Sequence, residues 1–214
     1  MRSNRIPSII VLGICAVMTA VAGCSVVGEK DYPAKRQYVL DANRAGKPRP
    51  AAGAGVLMVR TFRVSDRFES SQLVYRTGAL SYESDFYNQF LSSPGSLITE
   101  EVRQWLGAGG VFANVVSAGS RIEARYVLEG NVAALYGDYT SKDAPAAVLE
   151  MQFFLIDRAG SGNSIAFHKT YAVTKPLASS GPPALVESLS ACLTEVLGAL
   201  EADLGKAVPT AAGR

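Results

Sequence analysis

Few of the side chains that build metal sites and nucleophilic active sites occur in this sequence. Its 214 residues include three cysteines and one histidine, His168. That set cannot complete a zinc site without an unusual number of carboxylate ligands. A Gly-x-Ser-x-Gly elbow, a P-loop and a zincin motif are also absent from the sequence. We therefore expect no metal, no cofactor and no enzymatic activity.

An excess of charge of one sign is also missing, once the first residues are set aside. The chain carries 21 basic and 19 acidic side chains, and Arg2 and Arg5 are its only charged residues before Glu29. A balanced chain offers no electrostatic surface to DNA or RNA, which excludes nucleic acid as a partner. Hydrophobic residues make up 48% of the chain, which is enough for one core and too many for a disordered protein.

The N-terminus has the layout of an export signal. Arg2 and Arg5 precede an apolar run over residues 9–22, and a basic segment followed by such a run is typical of a secretory signal. The run ends in Val-Ala-Gly-Cys at residues 21–24, which resembles the lipobox of bacterial lipoproteins. The resemblance implies cleavage between Gly23 and Cys24. It also implies a covalent lipid on Cys24, with a diacylglyceryl group from diacylglycerol on the thiol and palmitate as an acyl group.

An uncleaved membrane helix is the alternative interpretation of this segment. No charged residue occurs over residues 6–28, and about 20 apolar residues span a bilayer. The lipobox behind a basic flank favours the lipoprotein. Ser25 follows the cysteine, whereas in bacterial lipoproteins an aspartate at that position favours retention in the inner membrane. The resemblance therefore implies a lipid anchor in the outer membrane, on its periplasmic side.

The domain plan predicted from these features has four parts. They are a signal peptide at residues 1–23, an acylated N-terminus and tether at 24–35, a periplasmic domain at 36–206 and a flexible tail at 207–214. Cys15 would leave with the signal peptide and Cys24 would be acylated. Cys192 would then be the remaining thiol, so no intramolecular disulfide is expected in the mature chain.

Alternating apolar and polar residues predict three long strands in the second half of the chain. The apolar sets are Tyr126, Leu128, Val132 and Tyr136; Leu149, Met151, Phe153 and Leu155; and Ile165, Phe167, Tyr171 and Val173. A period of two is typical of strands with one buried face, and turn-rich connections predict an antiparallel meander. Shorter strands are predicted over residues 37–40, 56–64, 73–77, 79–83 and 111–116.

Two helices complete the predicted domain. Ser93 and Pro94 begin the first helix, and a glycine-rich segment at 107–110 ends it. The second covers residues 183–206, with Cys192 in its apolar stripe and Glu201 among the acidic residues on its other side. These elements predict an α+β fold. We expect a largely antiparallel or mixed β-sheet with two helices packed on one face, preceded by a cleaved lipoprotein signal peptide.

Aromatic residues are concentrated in one short segment. Five of them lie within 16 residues: Tyr75, Tyr82, Phe86, Tyr87 and Phe90. They could pack in the core, or they could form a surface that contacts a partner protein or lipid. Phe86 and Phe90 would share a face if the segment is helical. The candidate contacts under the second interpretation are Phe86, Phe90, Tyr87 and Tyr82.

Several short motifs follow one another in order along the mature chain. They are the lipobox at Cys24, Tyr-Val-Leu at 38–40, Leu-Val-Tyr-Arg at 73–76, Phe-Tyr-Asn-Gln-Phe at 86–90, Trp-Leu at 105–106, Gly-Val-Phe at 110–112, Tyr-Val-Leu-Glu-Gly at 126–130 and Leu-Tyr-Gly-Asp at 135–138. With these motifs, residues 36–205 resemble the auxiliary lipoproteins of ABC-type transport systems, the group that includes the Pqi-system lipoprotein. Residues 85–94 depart from the arginine-tryptophan pattern of some members.

This resemblance implies a non-enzymatic accessory subunit held at the outer membrane. Its partners would be an MCE-type substrate-binding protein and ABC transporter subunits, with phospholipid as a candidate ligand. Its role would be in lipid or hydrophobic-solute traffic between the inner and outer membranes. Two rival functions stay open: a freestanding ligand-binding lipoprotein, and an assembly factor for another cell-envelope machine. Co-purification separates them, because a freestanding binder would bring only a ligand.

Overall fold

The computed structural model describes residues 34–50, 55–141, 143–159 and 162–209. The described residues form nine strands and two helices. These are β1 (Arg36–Tyr38), β2 (Val56–Val59), β3 (Arg63–Val64), β4 (Gln72–Arg76), β5 (Tyr82–Phe90), α1 (Pro94–Gly109), β6 (Asn114–Ser117), β7 (Tyr126–Asp138), β8 (Ala146–Asp157), β9 (Ser164–Pro176) and α2 (Pro182–Ala207). The predicted α+β fold is confirmed. The predicted signal peptide, Gly23 and Cys24 lie outside the described residues.

Strand β7 connects the parts of the sheet. One edge of β7 pairs antiparallel with β8, and β8 pairs antiparallel with β9, which confirms the predicted meander. The other edge pairs in parallel with β2, β3 and β4, one after another. Beyond these, β6 adds to β2, while β5 and then β1 add to β4. The sheet is therefore mixed, with its antiparallel meander on one side of β7.

The single strand predicted over residues 56–64 is wrong, because the chain leaves the sheet around Phe62. The Phe62 ring is buried and lies 5.6 Å from the ring of Phe153, edge to face. It also covers Gly130 of β7 so closely that a Cβ there would lie 2.5 Å from the ring. The Phe62 N–H donates to Thr99 Oγ1 of α1 at 2.8 Å. The three residues 60–62 thus separate β2 from β3, with Phe62 packed in the core, and β3 then resumes the pairing with β7.

Two β-bulges change which residues face the core. The register of β7 shifts between Val132 and Ala134, so Leu135 is buried, while Tyr136 is only half-buried on the other face. A second shift, between Leu155 and Ile156 of β8, leaves Ile165 of β9 66% exposed. The predicted burial of Ile165 is therefore wrong, and so is the predicted face of Tyr136, which is partly buried and packs against the core from the other face. Elsewhere the predicted period of two is confirmed, most clearly in β8, whose four predicted core residues are all buried.

Both helices pack on one face of the sheet, as predicted. Helix α1 begins after Ser93, whose Oγ accepts a hydrogen bond from the Ser96 N–H, and it ends at Gly110 with a φ of 74°. That left-handed conformation favours glycine. Helix α2 buries its predicted apolar stripe against β8 and β9. It is long and apolar enough to cross a bilayer by composition, but its apolar side forms part of this core.

The end of α2 lies slightly beyond the predicted domain boundary at residue 206. Ala207 belongs to the helix, and Val208 is buried with its N–H donating to the Leu204 carbonyl at 2.9 Å. Residues 210–214 of the expected tail lie outside the described residues.

Candidate interaction surface

The aromatic segment lies on β5 and contains a wide bulge. Gln72 of β4 pairs with Gln89, but Val74 pairs with Ser84. Residues 85–88 therefore lie opposite the single residue Leu73. Three additional residues on one strand displace the chain outward and reverse the alternation of side chains between the two faces. We call residues 85–88 the β5 bulge.

Asp85 holds the β5 bulge in its conformation. Its carboxylate accepts hydrogen bonds from the backbone N–H groups of Tyr87 and Asn88, both at 2.9 Å, and from Asn88 Nδ2 at 2.9 Å. The Tyr75 hydroxyl on β4 donates a fourth, at 2.8 Å. Burial tends to raise the pKa of Asp85, but the hydrogen bonds from Tyr75, Asn88 and Tyr87 outweigh it and hold that pKa below its usual value. The bulge is therefore fixed by an ionised carboxylate.

Phe86 projects from the bulge into solvent. Its side chain is 59% exposed, and the Tyr87 ring meets it edge to face at 5.2 Å. The Lys35 ammonium lies 4.3 Å from the centroid of the Phe86 ring, within the range of a cation–π contact. The structure thus presents a large aromatic side chain beside a cation, at the point where the described domain begins.

Two other candidate contacts, Phe90 and Tyr82, are less exposed than Phe86. Phe90 is 3% exposed and belongs to the core, so the prediction that it shares an exposed face with Phe86 is wrong. The segment is a strand, and its bulge places the two rings on opposite sides. Tyr82 is 37% exposed and packs edge to face against Phe68 and Tyr136. Of the four candidates, Phe86 is the most exposed, while Tyr87 is half-buried.

The single histidine, His168, packs against a side chain of the neighbouring strand β8. It is exposed on β9, where its ring stacks on Phe154 at a centroid distance of 4.3 Å, and its Nε2 lies 3.1 Å from Gln152 Nε2. No cluster of three or more His, Cys, Asp or Glu side chains that could hold a metal occurs in the described part of the chain.

The described domain has the fold of two crystal structures. One is protein XCC0632 from Xanthomonas campestris, with a TM-score of 0.66 at 17% identity, covering 80% of this chain and 94% of that one. The other is an uncharacterized protein, with a TM-score of 0.62 at 15% identity, covering 79% of this chain and 98% of that one. At these identities the similarity shows the fold alone. None of the curated proteins matches the sequence.

The family is decided by a sequence model that matches residues 38–200, described as "ABC-type transport auxiliary lipoprotein component". The chain belongs to this family. As an ABC-type transport auxiliary lipoprotein, it is associated with an ABC transport system, and the family's description names no enzymatic activity. The match begins at Tyr38 in β1 and ends at Leu200 in α2. It therefore includes α1, most of α2, the meander and the β5 bulge.

The sequence contained only part of the signal for the β5 bulge. The concentration of aromatic residues indicates this segment, but Asp85 by itself does not, because scattered acidic residues are usually solvated. The arrangement Asp-x-x-Asn at residues 85–88 is a local signal, since an aspartate side chain readily accepts hydrogen bonds from backbone N–H groups two and three residues later.

Proposed function

We propose that this chain is a non-enzymatic accessory subunit, anchored by lipid on the periplasmic side of the outer membrane. It would work with an MCE-type substrate-binding protein and an ABC transporter to move phospholipid or hydrophobic solutes between the two membranes. The observation that carries this proposal is the family match over residues 38–200. The lipobox at residues 21–24 and Ser25 support the anchor and its membrane.

The β5 bulge is the surface that we propose for contact with the partner proteins. An exposed aromatic ring leaves apolar area in water, and a partner that covers it recovers about 25 cal/mol per Å². Aromatic residues at the centre of an interface often contribute ~2 kcal/mol or more. Phe86 meets both requirements of such a contact: its ring is exposed, and the hydrogen bonds of Asp85 fix the backbone next to it.

Site-specific photo-crosslinking in cells tests the proposed partner contact. A photoreactive phenylalanine analogue at position 86 should give a crosslink to an MCE or ABC subunit, identified by mass spectrometry. The matched control places the same analogue at Ile122, which is 55% exposed and outside the bulge. The proposal fails if position 86 gives no transporter crosslink, or if position 122 gives the same one.

Phe86→Ala separates docking from stability. Because the ring is exposed, we expect a melting temperature close to that of the wild type and normal abundance, with loss of transporter co-purification. Phe90→Ala is the contrasting variant. It empties a core position, so it should lower stability by ~3–5 kcal/mol. A clearly lowered melting temperature of Phe86→Ala would show that this ring also packs against the core.

The proposed anchor is tested at Cys24. Cys24→Ala should abolish acylation and block normal processing of the signal peptide. Mass spectrometry of the mature wild-type N-terminus gives the decisive measurement, and membrane fractionation then distinguishes the outer from the inner membrane. An unmodified Cys24 or a retained Met1 would contradict the lipoprotein anchor, whereas an inner-membrane location would contradict only the proposed membrane.

A further inference from the structure

A cleft of about 590 Å³ lies at the junction of α1, α2 and the segment that follows β1. Small residues of α2 widen it, among them Gly198, Ala202 and Gly205. Its other walls include the ring of Trp105 from α1 and the side chains of Arg44 and Arg49. Its volume is within the range of small-molecule sites, and its lining combines apolar surface with a few polar groups.

Glu201 forms the acidic wall of this cleft, although its sequence position predicted an exposed residue. It is 8% exposed. Arg44 binds both of its carboxylate oxygens, from Nη2 to Oε1 at 2.9 Å and from Nε to Oε2 at 3.3 Å. Arg44 is itself mostly buried, with 13% of its side chain exposed. This bidentate pair balances one positive charge against one negative charge.

Arg49 brings a second positive charge to the same wall. Its guanidinium lies 3.4 Å from Glu201 Oε1, farther than the guanidinium of Arg44, and 71% of its side chain is exposed. Its backbone N–H donates to the Ala108 carbonyl at 2.9 Å, which fixes the segment against the end of α1. Because Arg44 already satisfies Glu201, most of the donors of Arg49 are free to bind another group.

Trp105 adds an unused donor. The residue is 8% exposed, and its indole Nε1 has no hydrogen-bond partner among the described residues. The Cζ2 side of the ring, next to Nε1, faces α2, since a Cβ at Gly198 would lie 3.9 Å from Cζ2. A buried N–H without an acceptor is costly, at about 1–3 kcal/mol. Arg44 lies over the Trp105 ring, 5.8 Å from its centroid. The cleft therefore places the exposed cation of Arg49 near a buried indole N–H that has no acceptor among the described residues.

We propose that this cleft binds an amphiphile with an anionic oxygen headgroup, a carboxylate or a phosphate. Arg49 would bind the anionic oxygens, and the apolar part would lie along Trp105 and Ala202. The inference goes beyond the proposed function, since ligand binding here and docking through the β5 bulge involve different residues. One can fail while the other holds.

Trp105 is the only tryptophan in the sequence, so its fluorescence reports on this cleft. Purified full-length protein is titrated with inorganic phosphate, with dihexanoylphosphatidic acid and with dihexanoylphosphatidylcholine, all below micelle-forming concentrations. We expect a saturable change with phosphatidic acid, at an apparent Kd at least ~10-fold below those of the other two probes. A tenfold difference in Kd corresponds to about 1.4 kcal/mol, the scale of one charged hydrogen bond.

Variants of one exposed arginine test the assignment. Arg49→Gln should weaken phosphatidic acid binding by ~10-fold, and Arg49→Lys should retain most of it, because the charge is kept. Arg60→Gln is the matched control, since Arg60 is also exposed and paired with one carboxylate, that of Glu129, outside the cleft. All three variants should melt as the wild type does.

Three results would overturn the proposal. The first is no saturable change in Trp105 fluorescence with phosphatidic acid. The second is equal weakening by Arg49→Gln and Arg60→Gln. The third is an equal Kd for inorganic phosphate and phosphatidic acid, which would identify a free-anion site and remove the apolar part of the ligand.

Discussion

The phenol of Tyr75 donates a 2.8 Å hydrogen bond to the carboxylate of Asp85, across the pairing of β4 with β5. This bond ties a regular strand to the point where its neighbour bulges. Burial of Tyr75, followed by its bond to Asp85, raises the pKa of its phenol well above the usual value. Tyr75 therefore stays a donor, and Asp85 an ionised acceptor, throughout the neutral range.

Replacing Asp85 by asparagine should weaken the fold in a pH-dependent manner. The folded-state pKa of Asp85 lies below its unfolded value, so its contribution is complete above about pH 4 and is lost as the pH falls through the folded-state pKa. We expect Asp85→Asn to lower the free energy of unfolding by ~2 kcal/mol at pH 7. The difference in the free energy of unfolding between the variant and the wild type should disappear at pH values below the folded-state pKa of Asp85.

Urea denaturation of both proteins between pH 1.5 and 7 measures this effect, because the loss is expected below the usual pKa of an aspartate. Asp66→Asn, at an exposed carboxylate, is the control and should change the free energy of unfolding at pH 7 by less than ~0.5 kcal/mol. A constant difference between wild type and Asp85→Asn at every pH would show that the carboxylate's charge does not hold the bulge.

The Cys192 thiol should be unreactive in the native protein. It is fully buried, and burial raises its pKa to about 11, so almost no nucleophilic thiolate exists at pH 8. A thiol reagent should label the Cys192 peptide slowly in buffer and rapidly in 8 M urea, as followed by mass spectrometry. Cys192→Asp should destabilise the domain by several kcal/mol, because it would bury an unpaired charge. Rapid native labelling would contradict the packing of α2.

Two glycines near the end of α1 should respond oppositely to alanine. Gly110 has a φ of 74°, and a Cβ there would lie 2.6 Å from the Pro50 carbonyl oxygen. Gly110→Ala should therefore cost more than ~1 kcal/mol. Gly107 is helical and a Cβ there meets nothing within 4 Å, so Gly107→Ala should stabilise by up to ~1 kcal/mol. Thermal melts of the two variants decide the comparison, which fails if both shift in the same direction.

Two glutamates on α2 should differ in how much their ion pairs contribute. Glu201→Gln leaves the mostly buried Arg44 without its countercharge, which should cost ~3 kcal/mol. Glu195 pairs with Lys175 at 2.7 Å but is 57% exposed, so Glu195→Gln should cost less than ~1 kcal/mol. Chemical denaturation compares them directly. Equal costs would mean that Arg44 is solvated in the native state.

The fold was predictable where the pattern of apolar residues depends on burial of one face of a single element. The period of two along β8 and the apolar stripe of α2 each follow from burial on one face, and both are confirmed. The register shifts in β7 and β8 were not predictable. They depend on how neighbouring strands meet, and each one reverses the faces of the residues on one side of it, as Tyr136 and Ile165 show.

The candidate surfaces were harder to predict for the same reason. Phe86 and Phe90 are the same type of residue four positions apart, and the three additional residues of the bulge decide which one reaches solvent. Glu201 looks like an ordinary polar residue of α2 until Arg44, 157 positions earlier, is placed beside it. Such long-range pairs leave no local pattern in the sequence.

The position of β7 sets an order for folding. In the described sheet, the β2–β6 pair and the β4–β5 hairpin are joined only through β7, which comes later in the chain. A chain that is synthesised from its N-terminus therefore cannot join these parts of the sheet until about residue 138 is available. Pairings between distant strands are slow to form. Until then β2 and β4 both lack the strand that joins them, and the sheet cannot be completed.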